Sequence, residues 1–179
     1  MRILQAVSIA IGMLVLSACS AVYSPRPLGK NDVYLKTSEW EGNWLLSTNP
    51  PSFMEVRVKD AAKGFLIVIW YHDRAHDVYA INLRESGDWT FANVLDDKSE
   101  LFLWARIRRN EGQILIWCPK PEWFEKQIRA GKLPGALTEG GDVLLGSLQP
   151  EHLQIIASAE KDELDWENPI IATLVPTHR

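Results

Sequence analysis

Two imidazoles and two carboxylates fall within six residues at His72-Asp73-Arg74-Ala75-His76-Asp77, and these side-chain types can hold a zinc ion. Zinc requires three or four ligands in fixed geometry, with hydrogen-bonded partners that orient the imidazoles. The cluster instead falls between two apolar runs, where a hairpin turn carries polar groups by default, and Arg74 in its middle opposes a cation. Glu39 and Glu41 flank Trp40, a combination that suits a sugar. Glycoside hydrolysis needs an acid and a base facing each other across the bond, and no second pair accompanies them. A phosphate-cradling glycine loop, a nucleophile elbow and a cysteine pair at zinc spacing are all missing from the sequence. The sequence therefore assigns no catalytic residue, no metal and no cofactor.

What remains is the chemistry of sulfur. Residues 1 to 15 carry one positive charge, Arg2, and then an apolar stretch broken only by Gln5, Ser8 and Gly12, the pattern of an export signal. The apolar run ends well before the roughly 20 residues that a spanning helix needs. Leu16-Ser17-Ala18-Cys19 then resembles the lipobox of bacterial lipoproteins. That resemblance implies cleavage before Cys19 and acylation of its sulfur and its amine, palmitate being a typical chain. One acyl chain binds a membrane marginally and two or more anchor it, at about 0.8 kcal/mol per buried methylene. Ser20 stands where an Asp would favour the inner membrane, so the resemblance implies the periplasmic side of the outer membrane in preference to the inner one.

Removal of residues 1 to 18 leaves 161 residues, one domain by length and enough for a hydrophobic core. Because the removed part includes Arg2, the formal charge moves from −4 to −5. A mildly acidic chain without a basic run has no electrostatic footprint for nucleic acid. With Cys19 acylated, Cys118 has no intramolecular disulfide partner; its place in the run Ile114 to Cys118 predicts a buried thiol.

These groups must be positioned by the elements between them. Residues 19 to 36, with Pro25-Arg26-Pro27-Leu28-Gly29 and neither periodicity, read as a lipidated tether, leaving 37 to 179 as the domain. From there short apolar runs alternate with turn residues at the spacing of antiparallel barrels. Strands are expected at Asn43 to Ser47, Phe53 to Lys59, Phe65 to Tyr71, Val78 to Arg84, Trp89 to Leu95, Glu100 to Arg108 and Gln113 to Cys118. Connections this short join neighbours, which predicts an up-and-down meander. Pro121 to Gly131 predicts a helix with Pro at its start and Gly at its end. A second helix is expected from Pro150 to about Ala159, with strands at Asp142 to Leu145 and Pro169 to Val175.

Alternation in the strand at Glu100 puts Leu101, Leu103, Ala105 and Ile107 on the core face and Phe102, Trp104, Arg106 and Arg108 on the other. A turn centred on Asn110-Glu111 would pair Ile107 with Ile114 and Leu103 with Cys118, and would set Trp104 opposite Trp117. A turn with a bulge at Gly112 would instead place Arg106 across from Ile116. The first register is preferred. A Phe102, Trp104 and Trp117 patch is too apolar to leave wet, so the helix bearing Trp123 and Phe124 should cover it from outside the sheet. The eight tryptophans are expected to serve packing more than a ligand cage.

Gly42-Asn43-Trp44, the meander and a late helix before a closing strand are similar to the lipocalin-like barrels, whose first strand bears a Gly-x-Trp. Residues 40 to 176 also resemble a group of bacterial lipoproteins of unassigned activity, marked by a segment like Trp123 to Leu133. The resemblance implies a mainly β domain, an antiparallel meander closed or nearly closed into a barrel with two short late helices. Its expected role is that of a lipid-anchored envelope protein that acts by interaction or assembly. The alternative is a binder of a small hydrophobic ligand, since an eight-stranded barrel is just wide enough to be filled by side chains or to hold one small molecule. A third class, a hydrolase, lacks a nucleophile and base. Phe65, Phe91 and Tyr79 are the aromatics expected to fill the lumen if it is solid, and no ligand-binding residue is assigned.

Overall fold

The computed structural model describes residues 21–72, 75–158 and 168–176. In chain order the elements are β1 (Val22–Ser24), β2 (Asn31–Asp32), the single-turn helix α1 (Thr37–Trp40), β3 (Gly42–Leu46), β4 (Ser52–Asp60), β5 (Phe65–His72), β6 (Ala75–Ser86), β7 (Trp89–Asp96), β8 (Leu101–Asn110), β9 (Gln113–Trp117), α2 (Pro121–Arg129), β10 (Gly135–Leu137), β11 (Val143–Leu145), α3 (Pro150–Ala157) and β12 (Ile170–Val175). Strands β3 to β9 form the expected antiparallel meander, and β12 pairs with both β3 and β9 to close an eight-stranded, lipocalin-like barrel. Among the described residues three short helices accompany it where two were expected, α1 being too short to leave a periodic signal.

The closure is uneven along the barrel. One edge of β8 pairs with β7 from Leu101 to Ile107, but the other is shared: Arg106 to Asn110 pair with β9, whereas Phe102 and Leu103 pair with Ser24 and Tyr23 of β1. β1 in turn pairs with β11, and β11 with β10. The ring is therefore shut at the end where β8 turns into β9, and β8 parts from β9 at the opposite end. We call these the closed and open ends.

Two cores result. The inner one gathers Leu35, Trp44, Val56, Leu66, Leu83 and Ile114 with their neighbours inside the barrel. The outer one lies between the outside of β7, β8 and β9 and a cover made of β1, β11, α2 and α3; Phe91, Trp104, Trp117, Phe124, Val143 and Ile156 are buried in it. Trp104 meets Phe124 edge to face at 5.5 Å, so the helix lies over the tryptophan patch as alternation required.

Several expectations are corrected. The segment read as a tether belongs to the fold from Ala21 onward: Val22, Leu28 and Leu35 are buried. Polar anchors hold it. The Asn93 amide accepts from the Leu28 N–H at 2.7 Å and donates to the Leu28 carbonyl at 3.0 Å, and Arg84 donates to the Gly29 and Lys30 carbonyls and to Asp32. The β8–β9 turn consists of Glu111 and Gly112, because Gly112 takes a φ of +68° that a glycine adopts without cost. Ile107 thus pairs with Ile116, and Trp117 lies opposite Arg106 in place of Trp104. This is a slip of two residues from the expected register, so the faces survive while every partner changes. Leu103 faces Val94 and Tyr23, away from Cys118, which is half-buried beyond the end of β9.

Candidate functional site at the open end of the barrel

At the closed end, sequence and packing agree. Gly42 has φ +142°, outside the range side chains favour, and a Cβ there would lie 2.9 Å from Leu174 Cδ1. Two residues on, Trp44 is fully buried and its indole N–H donates to the Trp40 carbonyl at 3.1 Å. Arg109 donates to the Glu39 carbonyl and carboxylate at 3.1 and 2.7 Å, and Glu41 accepts the Val58 N–H. Both carboxylates beside Trp40 are thus occupied in tying α1 across this end.

The other end is different. Pairing of Trp70 with Asp77 and of Val68 with Tyr79 turns Trp70, His72, Asp77 and Tyr79 toward the barrel interior. On the far wall Leu103 pairs with Val94 and Leu101 with Asp96, and these point inward too. Tyr23, opposite Leu103, and Leu144, opposite Tyr23, share that face and extend it sideways along β1 and β11. All of these residues except Val68 and Val94 keep partial solvent exposure, whereas Leu46 and Met54 on the β3–β4 wall of the same end are buried; toward the closed end Trp44, Leu66, Leu83 and Ile107 are buried, and Val58, Ile81 and Leu174 are partly exposed. A side chain pointing into a barrel is reached by water only through an open mouth.

The lining is aromatic and acidic. His72 Nε2 lies 2.7 Å from Asp77 Oδ2, and the His72 ring meets Trp70 edge-on at 6.4 Å. Burial, with the Asp77 carboxylate and its hydrogen bond, pushes the Tyr79 phenol up to about 12. Burial first, and then the charges of Asp142 and Asp96, also raise Tyr23. The Trp70 Nε1–H is buried without a hydrogen-bond partner among the described residues.

The hexapeptide from His72 to Asp77 is thus split by its hairpin: His72 and Asp77 enter the barrel, His76 stays outside against Tyr71, and residues 73 and 74 lie outside the described residues. Among the described residues no group of three or more His, Cys, Asp or Glu converges as a metal site. Of the aromatics expected in the lumen, only Tyr79 points there. Phe65 is exposed on the outside and Phe91 sits in the outer core; Trp44 and Trp70 take the interior. The sequence could have found Trp70 by alternation along Phe65 to His72, but nothing local shows which face of that strand is inner.

A second feature is the outside of β3 to β6. The register sets Leu45, Phe53, Tyr71 and His76 in one row across four strands, with Ile69 and Val78 in the next. Phe53, Tyr71 and Val78 are 51, 44 and 58 % exposed, an apolar patch where solvent normally meets polar groups. Among the described residues no helix is long and apolar enough to cross a membrane. Cys19 and the acidic run from Glu160 to Glu167 lie outside the described residues. No protein-family model, curated protein or solved structure matches the chain.

Proposed function

We propose that the chain is a lipid-anchored envelope lipoprotein working as a binding module, its open barrel end receiving a small amphipathic molecule. One observation carries the reading: Trp70, His72, Asp77, Tyr79, Leu101 and Leu103 face into the open end and keep partial exposure, while Trp44, Leu66, Leu83 and Ile107 fill the interior below them, as in a cup half filled by its own side chains. Trp70, Tyr79, Leu101 and Leu103 offer apolar wall, and the unpartnered Trp70 N–H offers a donor whose burial is otherwise a cost. Acylation at Cys19, on the periplasmic side of the outer membrane, would hold the cup at a membrane surface. The test is titration of the mature chain carrying Cys19→Ser with an environment-sensitive amphiphile, followed by tryptophan emission. Saturable binding lost in Leu103→Arg supports the reading; no binding up to the probe's solubility limit overturns it.

A second reading, the interaction or assembly protein, is favoured by the exposed Phe53, Tyr71 and Val78 face. Its occupant would be a protein. Residues 19 and 20 separate the lipid from Ala21 by at most about 7 Å of chain. β1 leaves from β8, and β4 stands four strands round the eight-stranded ring from β8, on the opposite side. A bilayer held against β1 leaves the apolar face directed away from it. A photo-crosslinker at Phe53 that couples to one discrete protein supports this reading, and coupling to lipid alone overturns it.

A further inference from the structure

The inner wall of the open end carries one hydrogen-bond donor and one acceptor that no described residue uses. Trp70 and His72 are successive inward residues of β5, and their rings meet edge-on with centroids 6.4 Å apart. The Trp70 Nε1–H is buried with no hydrogen-bond partner among the described residues. A buried N–H left unpaired is costly, so a group that accepts from it gains affinity. The Trp104 N–H is buried without a partner as well, but it belongs to the outer core beneath Phe124, which α2 encloses.

His72 supplies the acceptor by elimination. Its Nε2 lies 2.7 Å from Asp77 Oδ2. An ionised carboxylate only accepts, so the proton of a neutral imidazole must stand on Nε2, and Nδ1 keeps its lone pair. Asp77 also takes the Tyr79 hydroxyl, which fixes the carboxylate and, through it, the tautomer. Nδ1 has no hydrogen bond from the described residues, and His72 stays partly exposed at the mouth.

Resting on the reading of the open end as a binding cup, we propose that its ligand is a neutral amphiphile with a hydroxyl head, an alkanol-like molecule whose oxygen accepts from Trp70 Nε1–H and donates to His72 Nδ1. A hydroxyl does both with one atom. One oxygen hydrogen-bonded to two nitrogens spans up to about 6 Å between them, commensurate with rings 6.4 Å apart. The alkyl chain would lie below, against Tyr79, Leu101 and Leu103, which share the inner face. An ether in the same place would satisfy Trp70 and leave His72 facing a second acceptor. A carboxylate would do the same and meet Asp77 besides.

Two isomers separate the hydrogen bonds from the apolar contacts: octanol, which accepts and donates, and heptyl methyl ether, which only accepts. Octanoate serves as the charged acceptor. Each is kept monomeric and titrated at about pH 8, where a free imidazole is neutral, into the mature chain carrying Cys19→Ser. The readouts are calorimetry and the indole N–H resonances, that of Trp70 being identified by its loss in Trp70→Phe. Octanol is expected to bind about tenfold more tightly than the ether, the equivalent of one hydrogen bond, and octanoate more weakly than either. Both neutral probes should move the Trp70 indole resonance. In His72→Phe the octanol advantage should fall to about twofold while the ether binds as before. Because that variant also frees Asp77, the comparison of isomers in the unaltered chain is the independent measurement. Ether binding as tightly as octanol overturns the head-group assignment and leaves the cup standing, and so does saturation by octanol that leaves the Trp70 resonance in place. If none of the three binds, the cup itself is overturned.

Discussion

The Trp44 indole N–H reaches back across the closed end of the barrel to the carbonyl oxygen of Trp40, 3.1 Å away, and joins the helical turn before β3 to the strand it introduces. The side chain is fully buried, so Trp44→Ala removes a large apolar surface and opens a cavity at once. Losses of about 3–5 kcal/mol are typical of such truncations. Urea unfolding followed by circular dichroism should show the midpoint fall by that measure. Trp44→Phe should lose less, chiefly the hydrogen bond, about 1–3 kcal/mol.

Phe124 is the helix's anchor in the outer core, fully buried and edge-on to Trp104. Phe124→Ala should destabilise by about 3–5 kcal/mol and raise the quenching of tryptophan emission by acrylamide. Unchanged quenching would mean that α2 does not cover Trp104.

Tyr79 titrates near 12 in the fold against about 10 in the unfolded chain, burial being the larger cause and Asp77 the next. The folded state therefore holds the phenolic proton more tightly. Its contribution is complete below pH 10 and is lost as the pH rises from 10 to 12. The unaltered protein should lose stability across that window more steeply than Tyr79→Phe, and parallel curves would contradict the assignment.

Cys19→Ala should abolish acylation and release the chain from the membrane fraction. Continued incorporation of labelled palmitate by this variant would rule out Cys19 as the acylated residue.

Cys118, half-buried beyond β9, should be modified by a thiol reagent in the native protein, more slowly than an exposed thiol and without prior unfolding. Protection until denaturant is added would place it in the core that its sequence neighbours suggest.

What the sequence by itself determined was periodic. Alternation at period two marked out most of the barrel strands and assigned Leu103, Ala105 and Ile107 to one face and Trp104 and Arg106 to the other; that assignment survived a two-residue slip in register because the slip was even. Pro121 and the apolar side of the following helix likewise sufficed to lay Phe124 on Trp104. Tertiary structure decided what has no period. Leu28 and Leu35 lie in a segment without periodicity, and only distant partners, Asn93 for Leu28, Arg84 for Gly29 and the Ala61 carbonyl for Leu35, convert it from a tether into part of the fold. The open end depends on β8 exchanging β9, its neighbour in the chain, for the distant β1 along one edge, as the pairing of Leu103 with Tyr23 shows. Which face of β5 looks inward, and so whether Trp70, His72, Asp77 and Tyr79 share a concavity, follows from how the ring closes, because a strand's pattern shows that it has two faces and closure chooses between them.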